Sequence, residues 1–305
     1  MAMEEKVPGR APEVWRPRDA AEACRLKTAF GPDGVFVAGG TLLRTHWESG
    51  ASSMPGNLID LTAIPGLAGI RAEAGRLAIG PLVKLSELMR AEAVAAGFPL
   101  LAEAARRIAA PSVRNLATIG GNVAGRVGDA LPALLVYDAE LVWQTGERTW
   151  AEPLEDWLAD PDRYAGVRVL TDIRLKPADA PAPDGRPGRI VGAFRKLGRR
   201  EAFTPSLVTA AVLGRLAADG TLAEVRIAAG GGSAVPARLR AAEAALEGAR
   251  ATPDALARVS EAVLAEYRPA SDPFAGAEYR RMAAANLIAA EWLSLAGAGR
   301  EEDGS

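Results

Sequence analysis

Two short segments carry glycine pairs in a setting that suits an anion. VFVAGGTLL, residues 35–43, runs from apolar residues into Gly39-Gly40-Thr41, and TIGGN, residues 118–122, repeats the pair as Gly120-Gly121 with Asn122 behind it. A Gly-Gly turn bends sharply and leaves backbone amides with no side chain over them, so a phosphate can come close. Thr41 adds a hydroxyl, and Asn122 offers both an acceptor and donors. Either turn alone is a weak signal, since most such segments are only turns. Together, about 80 residues apart, they can clamp the two phosphates of one dinucleotide from opposite sides. Neither is a Rossmann fingerprint, because no GxGxxG opens a βαβ unit in the first half, and neither ends in the Gly-Lys-Ser or Gly-Lys-Thr of a P-loop.

A third segment, FRKLGRR at 194–200, gathers four basic residues. A solvated basic face is the plain reading. The chemical one is that Arg195 or Lys196, close to an electron-rich or anionic cofactor, stabilises negative charge developing on reduction. His46 lies seven residues past Gly39 with no second ligand candidate beside it, and Cys24 is the single cysteine. By itself the chain therefore builds no four-thiolate iron–sulfur cluster, no disulfide and no Cys/His zinc site. No metal ligand and no catalytic acid, base or nucleophile is assigned. The six tryptophans are scattered and read as core or interface anchors.

The elements that must hold these turns are legible in the residue pattern. Asp19 followed by Glu22 predicts a capped helix to about Phe30, ended by Gly31. Val35–Ala38 reads as a strand feeding the first glycine turn, with a turn or short helix over Leu42–Trp47. Further strands are expected at 58–61 and 77–79, helices at 85–90 and 99–109, and Pro111 should stop the second of these. Asp129 should cap a buried helix over Ala130–Val136. A hairpin around Thr145-Gly146 and a strand through Val169, Thr171, Ile173 and Leu175 complete the first half. PADAPAPDGRPG, residues 177–188, holds four prolines and reads as a linker. Beyond it, strands at 190–197, 207–216 and 223–228 form a meander, the last two joined across Asp219-Gly220. Helices follow at 239–246, from Thr252 and Pro253 onward, and at 278–295, before a frayed tail from Gly299.

Composition narrows the classes. With 305 residues, 49% hydrophobic and 24% charged, the chain is a folded multidomain protein rather than a disordered one. Thirty-six basic against 38 acidic side chains leave a charge of −2, which gives nucleic acid no foothold. No apolar run approaches a membrane span and the N-terminus does not look like a signal peptide, so a cytoplasmic home is expected.

The order of these segments resembles the FAD-binding medium subunit of molybdenum hydroxylases, such as xanthine dehydrogenase and aerobic carbon monoxide dehydrogenase. VAGGTLL is similar to the family's first FAD loop, SVRNLATIGGNVAG with DALPALL to its second signature, AFRKLGRR to the opening of its carboxy-terminal domain, and EYRRMAAANLI to its terminal helix. The resemblance implies an α+β fold: a two-subdomain FAD-binding domain of the PCMH type (residues 1–56 and 57–176), the linker 177–188, and a carboxy-terminal domain (189–298) with a three-stranded antiparallel sheet and helices. It carries FAD contacts onto Phe36, Val37, Ala38, Gly39, Gly40, Thr41, Leu42 and Leu43 in the first loop and onto Thr118, Gly120, Gly121 and Asn122 in the second. Asp129, Leu170 beside the flavin, and Arg195, with Lys196 as the neighbouring choice, complete the set.

The implied partners are a molybdenum-pterin large subunit and a small subunit with two [2Fe-2S] clusters, in a dimer of heterotrimers. Electrons would reach FAD here and leave to NAD or another acceptor. Two departures stand out: Gly-Gly-Thr-Leu replaces the common Gly-Gly-Thr-Asp, and REAFTPSLV follows the basic turn where xanthine-type members continue differently. A stand-alone FAD-dependent oxidoreductase of the same superfamily, or a non-catalytic assembly subunit, are the alternatives.

Overall fold

The computed structural model describes residues 11–73, 75–163, 166–178, 188–199 and 206–297. Of the linker expected over 177–188, residues 179–187 lie outside the described residues, as do the leader before residue 11, Arg200 and the tail from residue 298.

The chain builds three sheets in succession. The first contains β1 (Glu13–Trp15), β2 (Gly34–Val37) and β3 (Asn57–Asp60), with β3 in the centre and both neighbours parallel to it. The strand that starts at residue 57 is thus the partner of two strands that precede it. Between β1 and β2, α1 (Ala20–Phe30) starts where Asp19 Oδ1 accepts the Glu22 N–H at 2.7 Å, and it ends at Gly31 with φ +53°. Lys27 Nζ closes that end by donating to the Gly31 and Gly34 carbonyls, at 2.8 and 2.6 Å. Ala20, Ala23 and Cys24 form the inner face of α1 and pack with Ile59 and Val169. The second helix, α2 (Thr41–Ser49), leaves the first glycine turn and has no buried residue.

The second sheet is antiparallel, in the order β4-β5-β8-β6-β7. Its strands are β4 (Ile70–Glu73), β5 (Arg76–Ile79), β6 (Glu140–Thr145), β7 (Arg148–Pro153) and β8 (Val169–Leu175). Six short helices fill the long crossover: α3 (Leu85–Leu88), α4 (Glu92–Gly97), α5 (Pro99–Arg107), α6 (Pro111–Arg114), α7 (Ile119–Ala124) and α8 (Leu131–Val136), while α9 (Leu154–Ala159) follows β7. Pro111, expected only to end a helix, opens α6 instead, because a first-turn position needs no N–H from it. Every residue of α8 is buried. Its N-cap is Ala130, without a side-chain bond, so Asp129 does not cap it as its position suggests. The Asp129 carboxylate instead accepts hydrogen bonds from Lys196 and Ser206 of the third sheet.

The third sheet is antiparallel in the order β12-β11-β10-β9, made from β9 (Arg189–Gly198), β10 (Ser206–Leu216), β11 (Leu222–Gly231) and β12 (Ala234–Arg238). The sheet has four strands rather than the expected three. The extra one, β12, contains Pro236, and a strand at a sheet edge tolerates proline because no ladder N–H is needed there. On one face lie α10 (Arg240–Leu246), α11 (Pro253–Glu266) and α12 (Ala277–Gly297); Thr252 caps α11 as expected. On the other face Phe194, Ala211, Leu213 and Ala228 join the core of the second sheet and α8. All eleven residues of β10 are consequently buried. Among the described residues no helix is long and apolar enough to cross a membrane.

Candidate functional site

The two glycine turns, remote in sequence, meet in space. The first leaves the end of β2, where the Val37 carbonyl accepts the Leu61 N–H at 2.9 Å and Phe36 sits opposite Ile59. From Ala38 the chain reaches Gly39, whose missing Cβ allows close backbone contact. A Cβ there would lie 2.0 Å from the Leu116 carbonyl oxygen and 3.0 Å from Ala117 Cα. Gly40 then takes φ +66° as the N-cap of α2, and its carbonyl accepts the Arg44 N–H at 2.9 Å. The amides of Thr41, Leu42 and Leu43 fall in the opening turn of α2, ahead of that first intrahelical bond.

The second turn is fixed by backbone pairing with the segment before α3. Ile119 and Gly120 donate to the carbonyls of Val83 and Pro81 at 2.9 and 2.8 Å, and a Cβ on Gly120 would strike Pro81 at 2.5 Å. Thr118 Oγ1 accepts the Gly121 N–H at 3.1 Å and so starts α7. Gly121 is exposed, and a Cβ on it would meet only Thr118 Oγ1, at 3.3 Å. The four glycines therefore divide their work. Gly39 and Gly120 let backbones touch, Gly40 supplies a left-handed residue, and Gly121 keeps an outward surface bare.

Asn122 Oδ1 accepts the Ala130 N–H at 3.1 Å, which folds residues 125–129 into a loop against α7. Gly128 makes room for that side chain, since its Cβ would fall 2.2 Å from Asn122 Oδ1. Gly125 does the same for Leu42, whose Cδ2 lies 3.1 Å from where a Cβ would stand. This contact also joins the helices that follow the two turns. Neither glycine stood out in the sequence, although four glycines within 120–128 were visible there.

Asp129 leads out of the loop into a partly buried polar cluster. Lys196 Nζ donates to its Oδ2 at 2.8 Å and the Ser206 hydroxyl to its Oδ1 at 2.5 Å; the lysine and aspartate side chains are only 9% and 14% exposed. Ser206 had no signal in the sequence, because its role depends on strand register across the β9–β10 pair, where it faces Gly198. Arg195 takes the opposite face of β9 and donates through Nε to Glu291 of α12 at 2.7 Å. It lines a groove of about 440 Å³ with Leu100, Glu103, Arg106 and Glu291. Leu170 is 8% exposed in β8, opposite Trp143, within the core of the second sheet. The structure thus brings residues 36–43, 118, 120–122, 129 and 196 into one connected region, and sets Arg195 apart on the far face of its strand.

A cradle of this kind fits a dinucleotide diphosphate: the first turn offers the free amides of a helix start, and the second, whose own amides are taken by Val83, Pro81 and Thr118, offers the bare surface of Gly121 and the Asn122 side chain. Among the described residues no group of three His, Cys, Asp or Glu side chains could hold a metal.

Comparison with known proteins gives the cradle a family. The model of the FAD binding domain in molybdopterin dehydrogenase matches residues 9–175, and that of the CO dehydrogenase flavoprotein C-terminal domain matches residues 192–295. The carbon monoxide dehydrogenase medium chain of Hydrogenophaga pseudoflava is 30% identical over 284 residues, covering 90% of this chain and 94% of its own length. The xanthine dehydrogenase FAD-binding subunit of Escherichia coli O157:H7 is 29% identical, over 85% of this chain and 87% of its own. In structure the chain is similar to the Hydrogenophaga pseudoflava carbon monoxide dehydrogenase that lacks the Mo-pyranopterin moiety of its cofactor, with a TM-score of 0.84 and 30% identity over 96% of this chain and 99% of that one. With both domain models in order along nearly the whole chain, the protein belongs to the FAD-binding medium subunits of the molybdenum hydroxylase family.

Proposed function

We propose that this chain is the electron-transfer flavoprotein of a multisubunit molybdenum hydroxylase, taking electrons from [2Fe-2S] clusters in a small partner subunit and passing them through FAD to NAD or another acceptor. In this reading a molybdenum-pterin large subunit oxidises the organic substrate, the assembly is a dimer of heterotrimers, and it works in the cytoplasm. The single cysteine supports the division of labour, since this chain has no ligand set of its own for an iron–sulfur cluster. Relatives named as medium chains, a medium subunit and a subunit of a dehydrogenase complex support the partners.

The observation that carries the proposal is the backbone contact of Gly39 with Leu116, which joins the two phosphate-suited turns into one seat. Bound FAD accepts electrons singly and gives them up in pairs. This chain's residues bind and orient it. The turns at 39–43 and 118–122 receive the diphosphate, Gly121 keeps the approach clear, and Asp129 with Lys196 braces the second turn from behind. No side chain of the chain is needed as an acid or base toward the organic substrate. In this reading the FAD-binding half, residues 1–176, comprises the first two sheets, and residues 189–298 are the carboxy-terminal domain that contains the third.

Reconstitution tests the proposal directly. Purified chain incubated with FAD should retain it near one per chain, and co-expression with the neighbouring coding regions should yield a complex containing molybdenum and two iron–sulfur clusters per flavin. A chain that takes up no FAD, or that turns over an organic substrate with no other subunit present, would overturn it.

A further inference from the structure

The second glycine turn is held from the carboxy-terminal sheet by two side chains, Lys196 and Ser206, which meet at Asp129. Asn122 fastens the turn to Ala130, and the residue between them and the carboxy-terminal sheet is Asp129, whose two oxygens receive Lys196 and Ser206 at 2.8 and 2.5 Å. Lys196 and Phe194 share one face of β9, and Phe194 packs into the core of the second sheet, so this face looks toward the FAD-binding half. Arg195, one residue away, looks toward α12.

A carboxylate this poorly solvated, beside a turn that must receive an anionic diphosphate, would repel the ligand unless its charge were cancelled. The ammonium at 2.8 Å cancels it. We infer that Asp129, Lys196 and Ser206 form a charge-neutral strap between the domains, in which Lys196 and Ser206 are positioning residues that act on FAD only through Asp129. The inference rests on the FAD reading above. It assigns Ser206 a role and moves that of Lys196 from the flavin to the carboxylate.

Titration of FAD into the full-length apoprotein, followed by flavin fluorescence, separates the possibilities. Lys196→Met leaves Asp129 uncompensated and is expected to weaken FAD about tenfold or more. Adding Asp129→Asn to it removes the stranded charge and should bring affinity back to within about threefold of Asp129→Asn alone. Ser206→Ala is expected to lose about threefold, with Ser206→Thr restoring it. A double variant as weak as Lys196→Met would place the lysine on the cofactor itself and overturn the inference, as would wild-type affinity in Lys196→Met. If Lys196→Met does not fold, a folded double variant supports the strap and an unfolded one overturns it. Failure of the wild-type chain to bind FAD is a different result, and it removes the functional reading underneath.

Discussion

Gly39 touches the Leu116 carbonyl so closely that a single Cβ on it would sit 2.0 Å from the oxygen. Two backbones cannot give way as a side-chain tip can. Gly39→Ala is therefore expected to cost about 2–3 kcal/mol and to release FAD as well. Gly121→Trp, at an exposed position with only Thr118 Oγ1 nearby, should abolish FAD binding while Tm of the apoprotein moves by no more than about 2 °C. Thermal melts alongside flavin content distinguish the two, and FAD retention in the tryptophan variant would displace the proposed seat.

Arg195 offers a contrast with its neighbour. Its pair with Glu291 is partly open to solvent, so Arg195→Met should change stability by about 0–1 kcal/mol and leave FAD affinity unaltered. A marked loss of flavin in this variant would return Arg195 to the cofactor.

Glu152 is 4% exposed on β7, and among the described residues neither of its oxygens has a hydrogen-bond partner. Burial pushes its pKa up, with the charge of Arg168 opposing. The folded state therefore keeps this proton to higher pH than the unfolded chain does, and stability falls as pH rises through the interval between the two values. Glu152→Gln should raise Tm by about 2–4 °C near pH 8 and bring no gain near pH 3, where both states hold the proton. An equal gain at both pH values would rule out ionisation as the cause.

Gly214 of β10 faces the buried ring of Trp292, with Cη2 2.9 Å from where a Cβ would be. Gly214→Val overfills this contact between sheet and α12 and is expected to destabilise by about 1–3 kcal/mol, measured by urea unfolding. FAD content at low temperature should not change, since the flavin seat lies beyond the other face of the sheet.

Local chemistry made much of this architecture readable. The Asp19 cap and Gly31 stop bracket α1, and Thr252 with Pro253 starts α11, because these signals are satisfied within one turn of helix. The glycine pairs were readable as turns, and their resemblance to FAD loops gave them a partner. Tertiary competition was not readable. Asp129 has the position of a helix cap, yet an ammonium and a hydroxyl from 67 and 77 residues away take its oxygens. The choice between Arg195 and Lys196 turns on which face of β9 meets which layer, and alternation gives two faces without naming them. β12 hides behind Gly230–Gly232 and Pro236, residues that usually mark a loop.

β10, sheltered on either side, has a consequence for any attempt to divide the protein. A fragment ending after β8 would lay bare α8, an oily helix that the sheet of the missing half now shelters, and the complementary fragment would bare Phe194, Ala211, Leu213 and Ala228. Neither piece would stay dispersed in water for long. The seat for the nucleotide thus borrows its rigidity from strands that lie outside it, and the two halves should melt as one.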